Sequence, residues 1–193
     1  MKKITLAFAA TLLLTATMMS CGDKKMAADD MTATKIVGGA EMFPTKNIVE
    51  NAVNSADHKT LVAAVKAAGL VQTLSGPGPF TVFAPTDNAF GLLPAGTVDY
   101  LVKPENKAAL TSILTYHVVA GKVNAQDLVK MIKNGDGKAS LKTVNGATLS
   151  ASTEGGNVYI TDLAGNRAMV STANVYQSNG VIHVLDKVLL PSK

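Results

Sequence analysis

The sequence predicts an α+β fold, with helices mostly in its first half and strands in its second. Three observations carry this expectation. Between about residues 47 and 135, apolar residues recur at spacings of three and four, punctuated by capping residues, Gly and Pro. From about residue 143 onward, short alternating runs are separated by Asn-Gly, Gly-Gly and Gly-Asn turns. One early segment, Phe80 to Ala84, breaks the helical pattern with a period of two. Helices gathered before strands, with no regular βαβ alternation, mark the α+β class.

The first twenty residues stand apart. Lys2 and Lys3 precede an apolar run from Ile4 to Met19, followed by Ser20 and Cys21. A basic start, a short apolar stretch and a small residue read as an export signal over residues 1–20. Cys21 is the only cysteine, so no disulfide forms within a monomer. Met18-Met19-Ser20-Cys21 resembles a bacterial lipobox, with Met18 where Leu is usual. The resemblance implies cleavage before Cys21 and its acylation, which holds the chain at a membrane by hydrocarbon burial of ~0.8 kcal/mol per CH₂. The alternative is a general secretory signal with an incidental cysteine. Residues 21–41 mix charge, Ala, Met and Gly without periodicity and read as a flexible tether. Ile36 and Val37 are its one apolar patch, with a short strand as the alternative reading. The globular domain is expected over 42–193.

Within the domain, Ile48, Val49, Ala52 and Val53 share one helical face. Asp57 is the expected cap of a second helix carrying Leu61, Val62, Val65 and Ala68, and Gly69 suits its left-handed stop. Pro77, Gly78 and Pro79 make a stiff turn before the Phe80 strand, which Pro85 ends. Thr86 or Asp87 then caps a helix through Ala89 and Phe90, Asp87 being the stronger candidate. Thr97 is expected to cap a short helix over Val98 to Val102, and Pro104 to open another whose buried side is Leu110, Ile113 and Leu114. Tyr116 to Val119 reads as a strand. Asn124 caps a helix with Leu128, Val129 and Ile132, stopped by Gly135. Asn145-Gly146, Gly155-Gly156 and Ala164-Gly165-Asn166 are turns between strands. The run from Val181 to Leu190 is too apolar for an edge and is expected at the sheet centre.

Composition narrows the functional classes. Aromatic content is 5% and there is no Trp, so no base-stacking platform is evident. Removal of residues 1–20 leaves 16 basic and 14 acidic residues, scattered, with no Lys/Arg run longer than two. Nucleic acid is therefore not an expected partner. No Gly-x-Ser-x-Gly elbow occurs, and the Gly76–Pro79 turn has prolines where a phosphate cradle needs backbone donors. No cofactor and no enzyme activity are expected.

Three segments in order resemble the fasciclin (FAS1) domain family. Phe80-Thr-Val-Phe-Ala-Pro-Thr-Asp-Asn-Ala-Phe90 is similar to its first motif, and Tyr116-His117-Val118-Val119 to its central Tyr-His motif. Asn179-Gly-Val-Ile-His-Val-Leu-Asp186 is similar to its last, and the likeness runs from about Thr45 to Pro191. The resemblance implies a β-wedge of two sheets, about seven strands in all, with a helical layer on one side. It also implies extracellular adhesion and matrix contacts, in forms that include lipid-anchored bacterial proteins. A departure lies at Ala173-Asn174-Val175-Tyr176, where the family more often has an acidic residue and an isoleucine.

The candidate residues each carry two readings. His117 and His183 sit in apolar strand contexts and read as buried neutral imidazoles, the alternative being a ligand or catalyst. His58 reads as exposed. The histidines lack metal-site spacing, so no metal is expected. Asp87 reads as a cap, with a recognition carboxylate as the alternative. Asp186 is expected to answer Tyr116, His117 or a backbone donor. Tyr116 and His117 with Asp87 are the candidate binding residues; Phe80, Thr86, Asp87, His183 and Asp186 are the structural motif positions. The expected partners are a membrane, through the Cys21 lipid, and an extracellular or envelope protein or polysaccharide. The alternative is a carrier or sensor of a small apolar or glycan ligand in the groove between wedge and helices.

Overall fold

A computed structural model describes residues 30–191. The export signal, Cys21 and the tether up to residue 29 lie outside the described residues. The first described elements correct the tether boundary at 41. Lys35–Val37 (β1) and Ala40–Met42 (β2) form an antiparallel hairpin. Its two-residue turn is Gly38-Gly39, with φ of 57° and 73°, the left-handed pair that favours residues without a Cβ. Val37 and Met42 are buried, and the Ala56 N–H donates to the Gly38 carbonyl at 3.0 Å. The folded domain therefore begins near Lys35.

The helical layer follows. Ile48–Ala52 (α1) opens with a capping box in which Asn47 and Glu50 satisfy each other's backbone N–H groups. Lys59–Ala68 (α2) ends on Gly69 in the left-handed conformation, as expected. Asp57 does not cap it: the preceding residue is His58, which makes no side-chain cap bond. Val71–Ser75 (α3) leads to the strand Phe80–Pro85 (β3) and the short helix Asp87–Gly91 (α4). Thr97–Leu101 (α5) is preceded by Gly96 at φ 80°, so Thr97 is its first residue and not its cap. Pro104 starts a 3₁₀ turn that runs into Lys107–Tyr116 (α6). Tyr116 thus ends a helix, and only Val118–Ala120 (β4) is strand, which shortens the strand expected from Tyr116. Asn124 caps Ala125–Asn134 (α7), its Oδ1 accepting from the Asp127 N–H at 2.8 Å.

Five further strands complete the chain: Lys138–Lys142 (β5), Thr148–Glu154 (β6), Asn157–Thr161 (β7), Arg167–Gln177 (β8) and Gly180–Leu185 (β9). With β3 and β4 they make a seven-stranded sheet in the order β4-β3-β9-β8-β7-β6-β5. Only β3 and β9 run parallel in this sheet, and all six residues of β9 are buried, the interior place its apolarity predicts, although the strand stops at Leu185 and not at the expected Leu190. Register shifts at Val170/Thr172 and Thr172/Val175 mark irregularities in long β8, and irregularities of that kind bend a strand. Val119 bridges Thr143, and the Val144 N–H donates to the Val118 carbonyl at 2.7 Å, so the outer strands meet and the sheet nearly closes.

Two cores result. Phe83, Leu185 and Leu189 pack with Leu141, Leu149 and Ile160 inside the wedge. Val82, Ala84, Ile182 and Val184 point the other way and pack against the helices through Ile48, Leu61, Leu110 and Leu114. The period-two alternation of β3 and β9 sorts residues between these cores.

Candidate functional site

Tyr116 and His117 lie where α6 turns into β4, under the end of the chain. Tyr116 is fully buried and His117 is 3% exposed. The Tyr116 hydroxyl donates to the Thr148 carbonyl and accepts from the Leu163 N–H, each at 3.3 Å. His117 Nδ1 pairs with the Ile113 carbonyl at 2.9 Å, which assigns the ring proton to that nitrogen. Nε2 is then free to accept, and takes the Leu189 N–H at 3.1 Å. Beside it, Asp162 Oδ2 accepts the Leu190 N–H at 3.2 Å. Successive amides of the terminal segment are therefore held by an imidazole and a carboxylate. Burial pushes the His117 imidazole down to about 4, against the opposing pull of the Ile113 carbonyl and Asp162. Burial also pushes the Tyr116 phenol up. Neither side chain has a face to offer a macromolecule.

The motif positions are structural in their contacts. Thr86 is the cap of α4, accepting from the Ala89 N–H at 3.3 Å. Asp87 corrects the expectation: its carboxylate reaches across to α2, accepting from the Thr60 N–H at 2.8 Å and the Lys59 N–H at 3.3 Å. It supplies the cap that His58 lacks, from a helix 27 residues later. Asp186 meets a backbone donor, the Met169 N–H, at 2.7 Å. His183 is buried against Phe83, with ring centroids 5.6 Å apart. Its Nε2 pairs with the Val123 carbonyl at 2.9 Å. Phe80 begins β3 opposite Gly180, where a Cβ would collide with the Phe80 carbonyl.

His58 is buried, contrary to its expected exposure. Its Nδ1 lies 2.8 Å from Ser55 Oγ, which also meets the Val37 carbonyl of β1. Its Nε2 has no hydrogen-bond partner among the described residues. Burial lowers its proton affinity, opposed by the Asp57 and Asp87 carboxylates and the Ala84 backbone.

Three residues of this framework escaped sequence reasoning in their roles. Asn179 Oδ1 accepts from the Ile48 N–H at 3.0 Å, and its Nδ2 donates to the Leu74 and Gly76 carbonyls at 2.8 and 3.0 Å. It fastens α1 and α3 to the start of β9. Asn174, at φ 59°, accepts from the Ala125 N–H at 2.7 Å and so adds a second cap to α7. That conformation is one that Asn adopts routinely. Asp162 gathers the Ala164, Asn166 and Leu190 amides; Asp three residues before Gly165 was the signal for its local turn.

Two of the open spaces among the described residues bear on the Tyr116-His117 segment. A groove over the Tyr116-His117 segment is lined by Tyr100, Ile113, Leu190 and Pro191. A narrower cleft lies between α1, α2 and α3 and reaches down to Phe83 and His117. It encloses about 540 Å³ counted to its open mouth, with about 40 Å³ that the centre of a water molecule can occupy. Among the described residues, no group of three or more His, Cys, Asp or Glu is placed to hold a metal ion. No helix there is long and apolar enough to cross a membrane.

Comparison with known proteins fits this architecture. The family model for the fasciclin domain matches residues 56–191. Protein sll1483 of Synechocystis is 47% identical over 156 residues, which is 81% of this chain and 79% of that protein. The cell surface glycolipoprotein MPB83 of Mycobacterium bovis is 34% identical over 175 residues, covering 88% of this chain and 70% of that one. A solved FAS1 domain pair from the insect cell adhesion molecule fasciclin I superposes with a TM-score of 0.68 at 22% identity, over 77% of this chain. This chain spans about half of that one, 52%.

Proposed function

The chain belongs to the fasciclin family, and from that premise we propose that it is a lipid-anchored cell-envelope module for adhesion or matrix attachment. In this reading it binds an extracellular or envelope protein or polysaccharide and performs no catalysis. The observation that carries it is the lipobox-like Met18-Met19-Ser20-Cys21 ahead of a fasciclin domain. Acylated Cys21 would tie the domain to the outer membrane, on its periplasmic or its surface-facing side. A relative named as a cell surface glycolipoprotein supports that placement.

The Tyr116-His117 segment contributes to binding by holding the surface above it, since both side chains are buried. Tyr100, 58% exposed, stands on that surface beside Ile113, Leu190 and Pro191. The non-catalytic reading is supported by His117, whose two nitrogens are both engaged by backbone groups, leaving neither to move a substrate's proton. Surface attachment by cells lacking the chain tests the proposal: attachment should fall against wild type, and unchanged attachment would contradict it.

The cleft beneath α1 favours a second reading, a carrier of a small ligand. Its aliphatic lining suits an apolar molecule and not a glycan, whose hydroxyls would find few partners there.

A further inference from the structure

We propose that the cleft beneath α1 takes the alkyl tail of an unbranched carboxylate, a fatty-acid-like amphiphile, with Lys66 holding its head group. The inference rests on the carrier reading and names its ligand class. Ile48, Val62, Val65, Val71 and Leu74 form the walls, and Phe83 lies at the floor. The one imidazole that reaches the floor, His117, has both nitrogens committed to backbone groups. A ligand entering this space leaves water without gaining hydrogen bonds, so its buried part must be hydrocarbon. The space that admits a water centre is about 40 Å³, which suits the end of a single chain and not a ring system. Ile48 and Leu61 also line a second apolar void of about 30 Å³ that extends toward Val37 and Met42.

The mouth supplies the head-group chemistry. Lys66, exposed on the last turn of α2, is the only charged side chain in the lining. It takes part in neither ion pair found among the described residues. Lys66 lines the cleft through its methylene stem and its ammonium enters neither ion pair, so a hydrocarbon ending in a carboxylate has a cation within reach at the rim, a match on charge as well as on shape.

Titration of the full chain with decanoate below its micelle concentration, followed on the methyl signals of Val62, Val71 and Leu74, tests this. Decanol serves as the neutral arm. Saturable shifts of these methyls with decanoate are expected. Lys66→Gln should weaken decanoate about three- to fivefold, the range of an exposed ion pair, and leave decanol unchanged. Ala52→Phe, which fills the cleft, should remove both; Val62→Trp at the half-exposed wall does the same if the first variant does not fold. Absence of saturable shifts with either probe overturns both the inference and the carrier reading. Decanol binding as tightly as decanoate, with Lys66→Gln indifferent to both, overturns the head-group assignment and leaves the carrier reading standing.

Discussion

The Leu189 N–H donates to His117 Nε2 at 3.1 Å, joining the last segment of the chain to the helix–strand junction 72 residues earlier. Both groups are buried, so the bond has no water to replace it. Replacing His117 by Phe would leave the Leu189 amide unsatisfied in the core, at a cost of about 1–3 kcal/mol. For a domain of this size the melting temperature should fall by roughly 2–10 °C in a thermal melt at neutral pH. An unchanged melt would show that the terminal segment is not held by this bond.

The same bond sets a pH dependence. His117 is held at about 4 in the folded chain by burial, against an ordinary value of 6.5. The unfolded state therefore binds the extra proton first as pH falls. The stabilisation from the neutral ring is complete above pH 6.5 and is lost as pH drops toward 4, on the order of 3 kcal/mol in all. His58 is shifted in the same direction and adds to the trend. Melting temperature measured from pH 7 to pH 4 should fall more steeply for wild type than for His117→Gln. Parallel curves would mean that His117 does not titrate in this window.

Asp87 and Thr86 are neighbours that cap different helices. Asp87→Ala should cost ~1 kcal/mol and speed amide exchange at Thr60 and Lys59, at the start of α2. Thr86→Ala should instead speed exchange at Ala89. Loss of protection at Ala89 in the Asp87 variant would contradict the assignment across helices.

Asn179 makes three hydrogen bonds to backbone groups of α1 and of the segment that ends α3. Asn179→Ala should destabilise by about 2–4 kcal/mol, since each bond is worth ~1 kcal/mol and the groups left behind are partly buried. A urea titration should show a lower midpoint with an unchanged slope. A midpoint within error of wild type would remove Asn179 from the framework.

What was legible in the sequence was chemistry that acts over a few residues. Gly69 as a left-handed stop, Asn124 as a cap and Gly155-Gly156 as a two-residue turn are all local, and the structure has each of them. The strand at β9 was legible because continuous apolarity leaves few places but the centre of a sheet. Contacts made across the fold were not. Asp87 looked like the cap of its own helix because Thr86 and Asp87 both suit that position, and only the packing of α4 beside α2 sends the carboxylate elsewhere. His58 looked exposed because it sits at the first turn of its helix, yet the β1–β2 hairpin and Ser55 cover it. That hairpin had a readable signal in Gly38-Gly39 between Val37 and Ala40, masked by the polar residues before it. Tyr116 and His117 were legible as a motif, but their burial beneath Leu189 depends on where the far end of the chain returns.

The anchor gives the most direct measurement of the proposed role. Cells that carry the chain with Cys21→Ser should release it from the membrane fraction and attach to surfaces no better than cells lacking it, while wild type attaches normally. Attachment at the wild-type level, with the Cys21→Ser chain still pelleting with the envelope, would contradict lipid anchoring at Cys21 as the basis of adhesion.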